Sequence, residues 1–177
     1  MLTPFYLPMK KQSAIRLRQA AALRKSENLL GYRGHTKRKG ELSELAFLYK
    51  AASMGFGVAK PYGDSERFDF IVSSGCRLWR VQVKSTYKRG THGYGVHTYG
   101  NRNRGAEIYT SQEIDFIAVY LVPEDIWYIV PIEVVGGRQA LMFHPHGTRK
   151  GMYQYEKYRE AWRQMKSTHK LDATPRP

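Results

Sequence analysis

Residues 67–85 decide the fold: Arg67-Phe68-Asp69-Phe70-Ile71-Val72-Ser73-Ser74-Gly75-Cys76-Arg77-Leu78-Trp79-Arg80-Val81-Gln82-Val83-Lys84-Ser85. Phe68 to Val72 reads as a compact apolar strand, Ser73-Ser74-Gly75 as a turn and Arg77 to Ser85 as a second strand, so the stretch predicts a hairpin. Side chains alternate faces along a strand. Val81 and Val83 then enter an apolar layer, while Gln82 and Lys84 share the opposite face. Asp69 lies among Phe68, Phe70, Ile71 and Val72. A carboxylate there is costly unless it is paired, bound to a metal or turned to water at a strand edge.

Upstream, Glu41 to Met54 predicts a helix whose apolar stripe is Leu42, Leu45, Ala46, Leu48 and Ala52, stopped by Gly55 and Gly57. Glu44 sits at the border of that stripe. Phe56 to Lys60 is a short edge strand, and Pro61 to Glu66 is a polar loop. Downstream, Tyr87 to Gly105 is rich in Gly, Tyr and Asn, with room for a strand at Tyr94 to Thr98. Ile114 to Val122 and Ile126 to Ile132 are apolar runs joined by Pro123-Glu124-Asp125, a second hairpin. Met152 to Met165 predicts a helix, with Met152, Tyr155, Tyr158, Trp162 and Met165 on a packing stripe. Helices and strands in this order predict an α/β fold with a mixed central sheet, not an alternating doubly wound one.

At 177 residues with 42% hydrophobic residues, the chain fits one soluble core domain. No apolar run reaches the ~18–20 residues of a membrane span, and Met1 to Met9 does not read as a secretory signal. Cys76 is the one cysteine, which excludes an internal disulfide framework and a zinc ribbon. An intracellular, cytoplasmic location is the expectation.

The formal charge is +14. Residues 1–40 hold ten Lys and Arg against Glu27 alone, residues 144–177 hold eight against three acids, and residues 41–143 balance at eleven each. All of the excess sits in the flanks, as suits a binder of phosphate backbones, although charge also serves solubility. Lys10 to Leu30 predicts a broadly basic helix carrying Arg16, Arg18, Arg24 and Lys25, and Gly31 to Gly40 a linker. The expected organisation is a basic helical extension over residues 1–36, a core over 37–166 and a frayed tail over 167–177.

Glu44 precedes Asp69 by 25 residues, and Asp69 precedes Gln82 by 13. That order can bring two carboxylates, an amide and Lys84 around one divalent cation. Hard oxygen donors suit Mg²⁺, which retains several waters and needs few carboxylates. Phosphodiester hydrolysis requires a cation on the phosphate oxygens and an acidified water, and a nearby lysine can orient that water and stabilise developing charge. Surface placement of Glu44 is the alternative at this point. The histidines form no metal-site pattern, and no Walker-type phosphate loop is present.

Gly40-(x)₃-Glu44, Arg67-Phe68-Asp69 and Gln82-Val83-Lys84, in this order, resemble the PD-(D/E)XK nuclease superfamily. The resemblance spans about residues 37–135. Two branches are nearest: archaeal Holliday junction resolvases and nucleases encoded in group I introns. Lys39-Gly40-Glu41-Leu42-Ser43-Glu44, Tyr62-Gly63-Asp64-Ser65-Glu66-Arg67, Val81-Gln82-Val83-Lys84-Ser85 and Glu113-Ile114-Asp115-Phe116-Ile117-Ala118-Val119-Tyr120 favour the intron-encoded branch. The resemblance implies a restriction-endonuclease-like mixed sheet flanked by helices. It also implies a metal-dependent endonuclease acting on double-stranded DNA, with Mg²⁺ as cofactor and Mn²⁺ able to substitute. Glu44, Asp69 and the Val83 carbonyl would be the metal ligands, and Lys84 would position the water. An intron-encoded homing-type enzyme would work as a homodimer or larger assembly, such as a tetramer. Gln82 stands where the family usually carries an acid. This substitution leaves open a non-catalytic DNA-binding protein, beside a junction-resolving nuclease.

Ser65 and Arg67 could meet the scissile phosphate, or Arg67 could pair with Glu66 or Asp64. Lys88, Arg89, Arg102 and Arg104, interleaved with Tyr94, His97, Tyr99, Asn101 and Asn103, could form a ribbon that reads the major groove or a solvated mobile loop. Glu113 and Asp115 read first as turn or cap residues.

Overall fold

In the computed structural model the described residues are 36–63, 65–102, 105–147 and 151–166, the side chains of 101, 102, 105 and 106 excepted. The chain divides into Met1–Lys39 and Gly40–Pro177, and the second unit carries the sheet. The expected helix at Lys10 to Leu30 and the tail 167–177 lie outside the described residues, as do Asp64, Asn103 and Arg104.

Helix α1 (Thr36–Ser53) leads into β1 (Gly57–Ala59), β2 (Phe70–Ser74) and β3 (Arg77–Thr86). Then come β4 (Tyr94–His97), β5 (Tyr99–Arg102), β6 (Gly105–Ile108), β7 (Phe116–Leu121), β8 (Ile126–Pro131), the short helix α2 (Ile132–Val135) and β9 (Ala140–Phe143). Five strands form one sheet in the order β1-β2-β3-β7-β8; β4 pairs with β9, and β5 with β6. Neighbours in the main sheet are antiparallel except β3 and β7, which run parallel with Gln82 opposite Ile117 and Lys84 opposite Val119. The sheet is therefore mixed, as the element order predicts.

The β2–β3 hairpin turns at Gly75 and Cys76, because Ser74 pairs with Arg77. Gly75 has φ 59°, a value that suits glycine in the first central position of a tight hairpin turn. Ser73 and Ser74, expected in the turn, still belong to β2. The second hairpin closes through a 3₁₀ turn at Val122–Glu124, with Asp125 left-handed at φ 52°.

Both sheet faces are buried, so β7 and β8 read as unbroken apolar runs instead of alternating ones. One layer gathers Phe47, Phe70, Val72, Val81, Val83, Ala118, Trp127, Ile129 and Trp162. The other gathers Tyr94, Tyr109, Ile114, Ile117, Val119, Tyr128, Val130 and Phe143.

Two expectations fail for identifiable reasons. First, α1 begins at Thr36, so residues 36–40 of the expected linker are helical, and its buried face is Ser43, Phe47 and Ala51. Leu42, Leu45 and Leu48, assigned to the core stripe, are exposed. Phe47 decides the rotation: its ring meets Phe70 at 5.2 Å, Trp162 at 5.6 Å and Trp127 at 5.7 Å. Such an aromatic cluster buries more area than a leucine stripe can. Glu44, one turn before Phe47, still flanks the buried face.

Second, Met152 to Met165 is not a continuous helix. It is a series of turns with 3₁₀ segments at Glu156–Tyr158 and Trp162–Met165. Glu160 breaks it, held at φ 47°. Its N–H donates to the Trp127 carbonyl at 2.8 Å, and its carboxylate accepts from the Trp127 N–H at 2.8 Å and from Trp162 Nε1 at 2.9 Å. Edge pairing with β8 outweighs local helix periodicity. Tyr155, Tyr158, Trp162 and Met165 are nonetheless buried, and the stripe is core packing.

Candidate active site

The candidate site forms where α1, the entry to β2 and the second half of β3 meet. Asp69 lies one residue before β2, and its N–H donates to the Val81 carbonyl at 2.9 Å. This bond fixes the backbone so that the carboxylate reaches β3. There Oδ2 accepts from Gln82 Nε2 at 2.7 Å and from the Val83 N–H at 2.7 Å. Gln82 also reaches its neighbour's carbonyl, with Nε2 3.3 Å from the Val83 oxygen.

Burial dominates the electrostatics. It pushes the Asp69 carboxyl up to about 6 from 3.8; the Val83 N–H opposes it, Glu44 adds to it, and Lys84 and Gln82 oppose it. Lys84 is lowered, first by burial and also by Arg67, against the pull of Asp69. Glu44 and Lys84 are thus both within electrostatic reach of Asp69. Hydrogen bonds thus join Asp69, Gln82 and the Val83 backbone, while Glu44 and Lys84 are linked to Asp69 by charge alone.

Glu44 Oε2 accepts from Lys60 Nζ at 2.7 Å. Arg67 turns away from Glu66: its Nε meets Glu113 Oε1 at 3.1 Å, and Nη2 donates to the carbonyls of Glu107 and Ile108 at 3.2 and 3.3 Å. Burial works against ionisation of Glu113. The N–H and hydroxyl of Thr110 together with Arg67 outweigh burial and hold Glu113 below the usual carboxylate range. Glu113 therefore caps a turn, as expected, and also anchors Arg67. Asp115 is structural and braces Arg80.

Ser65, Lys88 and Arg89 are exposed. Arg102 lies at the end of β5 in the β5–β6 ribbon, the hairpin geometry considered for groove reading. Arg16, Arg18, Arg24, Lys25 and Arg104 fall outside the described residues. Sequence reasoning missed Lys60 and Tyr109. Lys60 ends an edge strand beside a polar loop, a position where exposed lysines are ordinary. Tyr109 belongs to a separate chain segment whose return to the β3 face has no local signal.

The donor set around Asp69 is all oxygen: two carboxylates, the Gln82 amide oxygen after rotation of the amide, and a backbone carbonyl. That chemistry fits a hard cation such as Mg²⁺ or Mn²⁺. Among the described residues, no group of three or more His, Cys, Asp or Glu is placed to hold a metal. Two carboxylates suffice only for an ion that keeps water in its shell, as Mg²⁺ does.

A profile of PD-(D/E)XK endonucleases matches residues 34–165. The chain belongs to the PD-(D/E)XK endonuclease family. The solved structure of a bacterial homing endonuclease, I-Ssp6803I, is similar at TM-score 0.67 and 29% identity, over 75% of this chain and 93% of that one. MepB is similar at TM-score 0.41 and 13% identity, over 64% of this chain and 93% of that one. No curated protein sequence matches the chain. The likeness to I-Ssp6803I makes the mixed sheet a restriction-endonuclease-like fold. No helix among the described residues is long and apolar enough to cross a membrane.

Proposed function

We propose that this PD-(D/E)XK endonuclease hydrolyses phosphodiester bonds in duplex DNA with Mg²⁺ at the Glu44–Asp69–Gln82–Lys84 corner, as a site-specific homing-type nuclease. What supports this reading is the half-buried Asp69 carboxylate, held at 2.7 Å by Gln82 Nε2 and by the Val83 N–H, with Glu44 and Lys84 both acting on its charge. Two neighbouring acids in a half-buried corner favour a bound cation, which would offset their repulsion and desolvation.

The cation would neutralise phosphate charge and acidify a water. Glu44 and Asp69 would bind it, with the Val83 carbonyl and the rotated Gln82 amide as neutral donors. Lys84 would hold its ammonium towards the attacking water and the phosphate oxygens, orienting one and stabilising charge on the other. Burial raises its value here, because electrostatic contacts strengthen where water is excluded. The basic flanks of the sequence would follow the phosphate backbone. One such corner per chain cuts one strand, so cutting a duplex calls for two copies related by a twofold axis.

The deciding experiment incubates the protein with linear duplex DNA from its own genomic neighbourhood and Mg²⁺, then maps the ends. A discrete double-strand cut, absent in EDTA, is expected, and Lys84→Ala should bind that DNA without cutting it. Equal cutting by both proteins would remove the proposed site. Gln82 favours one second reading, a DNA binder that has lost catalysis; binding with no cutting in Mg²⁺ or Mn²⁺ would select it.

A further inference from the structure

Lys84 ends in an ammonium on a flexible four-carbon stem, and a useful position for it must be imposed from outside. No ion pair does this: among the described residues Nζ makes none. What it lies against is the ring of Tyr109, with Nζ 5.1 Å from the centroid. The Arg67 guanidinium lies over the same ring at 4.5 Å. Both distances are within the reach of cation–π attraction.

Tyr109 is itself fixed. It is 6% exposed and belongs to the apolar layer with Ile114, Ile117 and Val119. Arg67 is tied to Glu113 and to the carbonyls of Glu107 and Ile108, immediately before Tyr109. On the β5 side the neighbour is Gly100, where a Cβ would stand 2.7 Å from Arg67 Nη1 and 3.0 Å from the Tyr109 hydroxyl. The missing side chain lets the β5–β6 ribbon close on the pair. The ring thus has little freedom, and the lysine rests on it.

We propose that Tyr109 is the positioning residue for Lys84: its ring, clamped by Arg67 and the bare face of Gly100, holds the ammonium beside Asp69. This rests on the nuclease reading above, in which Lys84 acts on the water and phosphate. The phenol hydroxyl is dispensable, since the electron-rich ring face is what meets the cation. The clamp also links the β5–β6 ribbon to the catalytic corner, so a displacement of the ribbon reaches Lys84 through two side chains.

The test has a structural readout and a kinetic one. In protein labelled with ¹³Cε-lysine, kept metal-free, the Lys84 ε-methylene resonance is assigned by its loss in Lys84→Arg. Ring current from Tyr109 should shift its protons upfield of those of an exposed lysine such as Lys88. The shift should persist in Tyr109→Phe and vanish in Tyr109→Leu. With linear duplex DNA and Mg²⁺, Tyr109→Leu should lower kcat roughly tenfold, the rate equivalent of one cation–π contact, with DNA affinity unchanged. Tyr109→Phe should restore the rate. Gly100→Ala, which crowds the clamp without altering the ring, should show the same loss of shift and rate. It supplies the result should Tyr109→Leu fail to fold. A wild-type protein that cuts DNA but whose Lys84 resonance is not shifted upfield overturns the proposal and leaves the nuclease reading standing. So does a Tyr109→Leu variant with wild-type kcat. If the wild-type protein cuts nothing, the nuclease reading falls by itself, and the resonance still decides whether the ring holds Lys84.

Discussion

Strand β3 carries two cations on one face, Arg80 and Lys84, and each has an aspartate close by. Arg80 is fully engaged. Its Nη2 meets Asp115 Oδ1 at 2.9 Å, its Nε meets Oδ2 at 3.2 Å, and its own N–H donates to Oδ2 at 2.7 Å. The carbonyls of Gln112 and Ser111 take further donors. Lys84 is the opposite: half-buried, without an ion pair among the described residues, resting on an aromatic ring, and lowered by its surroundings. Its aspartate is raised instead of held down. The first pair is a brace whose charges are satisfied by each other. The second is a pair of charges that do not bond each other: Asp69 takes its hydrogen bonds from Gln82 and the Val83 N–H instead, which under the proposed function leaves both charges for a cation and a phosphate.

The strongest way to break this comparison is to remove each cation in turn. Lys84→Ala should lower the cutting rate about a thousandfold, in the range seen when a single preorganised electrostatic contact is lost. Its stability to urea should stay within about 1 kcal/mol of wild type, because folding buries that charge at a cost. Arg80→Ala should do the reverse. It should lose about 1–3 kcal/mol through its charge-assisted bonds and keep the cutting rate per folded molecule. Cutting assays beside urea unfolding measure both. A large rate loss in Arg80→Ala at full stability would erase the distinction.

The pH dependence sharpens it next. The Asp69 carboxyl sits at about 6 in the fold against 3.8 for the free group. Between those values the folded state binds the proton more tightly than the unfolded chain. Stability of the metal-free protein should therefore fall as pH rises from about 4 to 6, by up to roughly 3 kcal/mol, and level off above. Asp69→Asn should remove that slope and make the metal-free protein more stable than wild type at pH 7. Asp115→Asn should show no such gain, since its carboxylate is already paired with Arg80. Urea unfolding in EDTA across pH 4.5 to 7.5 reads both variants.

A smaller effect is expected from restoring the family's acid. Gln82→Glu places a third carboxylate against Asp69 and replaces a donor by a like charge. Mg²⁺ should bind about tenfold more tightly, about 1.4 kcal/mol, and the metal-free protein should melt at a lower temperature. Calorimetric titration and thermal unfolding with and without Mg²⁺ test the two halves together.

The Asp69–Lys84 pair was legible in the sequence because its geometry is local. Strand alternation puts Gln82 and Lys84 on one face, and a two-residue turn carries the chain back to Asp69. The parallel β3–β7 contact that buries this corner has no such signature, and the strand Ala140–Phe143 that pairs with β4 went unread. The face of α1 was misread for a different reason. Leu42, Leu45 and Leu48 are as apolar as Phe47, and only the tertiary meeting of Phe47 with Phe70, Trp127 and Trp162 settles which side is buried. Tyr109 was invisible because its role depends on a segment that returns to the sheet from a Gly-rich region. The helix expected at the C-terminal end of the core failed because Glu160 bonds to β8, and a periodic stripe carries no information about that edge.

Lys60 stands between the two kinds of cation and gives the finest test. It meets Glu44 at 2.7 Å, as Arg80 meets Asp115, yet its side chain is 57% exposed. An exposed pair of this kind contributes about 0–1 kcal/mol, so Lys60→Ala should barely change stability. Its effect should appear in metal binding. With Lys60 present, a cation arriving at Glu44 competes with an ammonium that water readily takes back. Without it, the Glu44 carboxylate is available at once and its repulsion of Asp69 is less offset. Mg²⁺ affinity should then rise about two- to threefold, an effect below 1 kcal/mol, in calorimetric titration. If Mg²⁺ instead bound more weakly to Lys60→Ala, Lys60 would be holding Glu44 in the binding geometry. It would then belong with Arg80 among the braces, and Glu44 would join the site only through it.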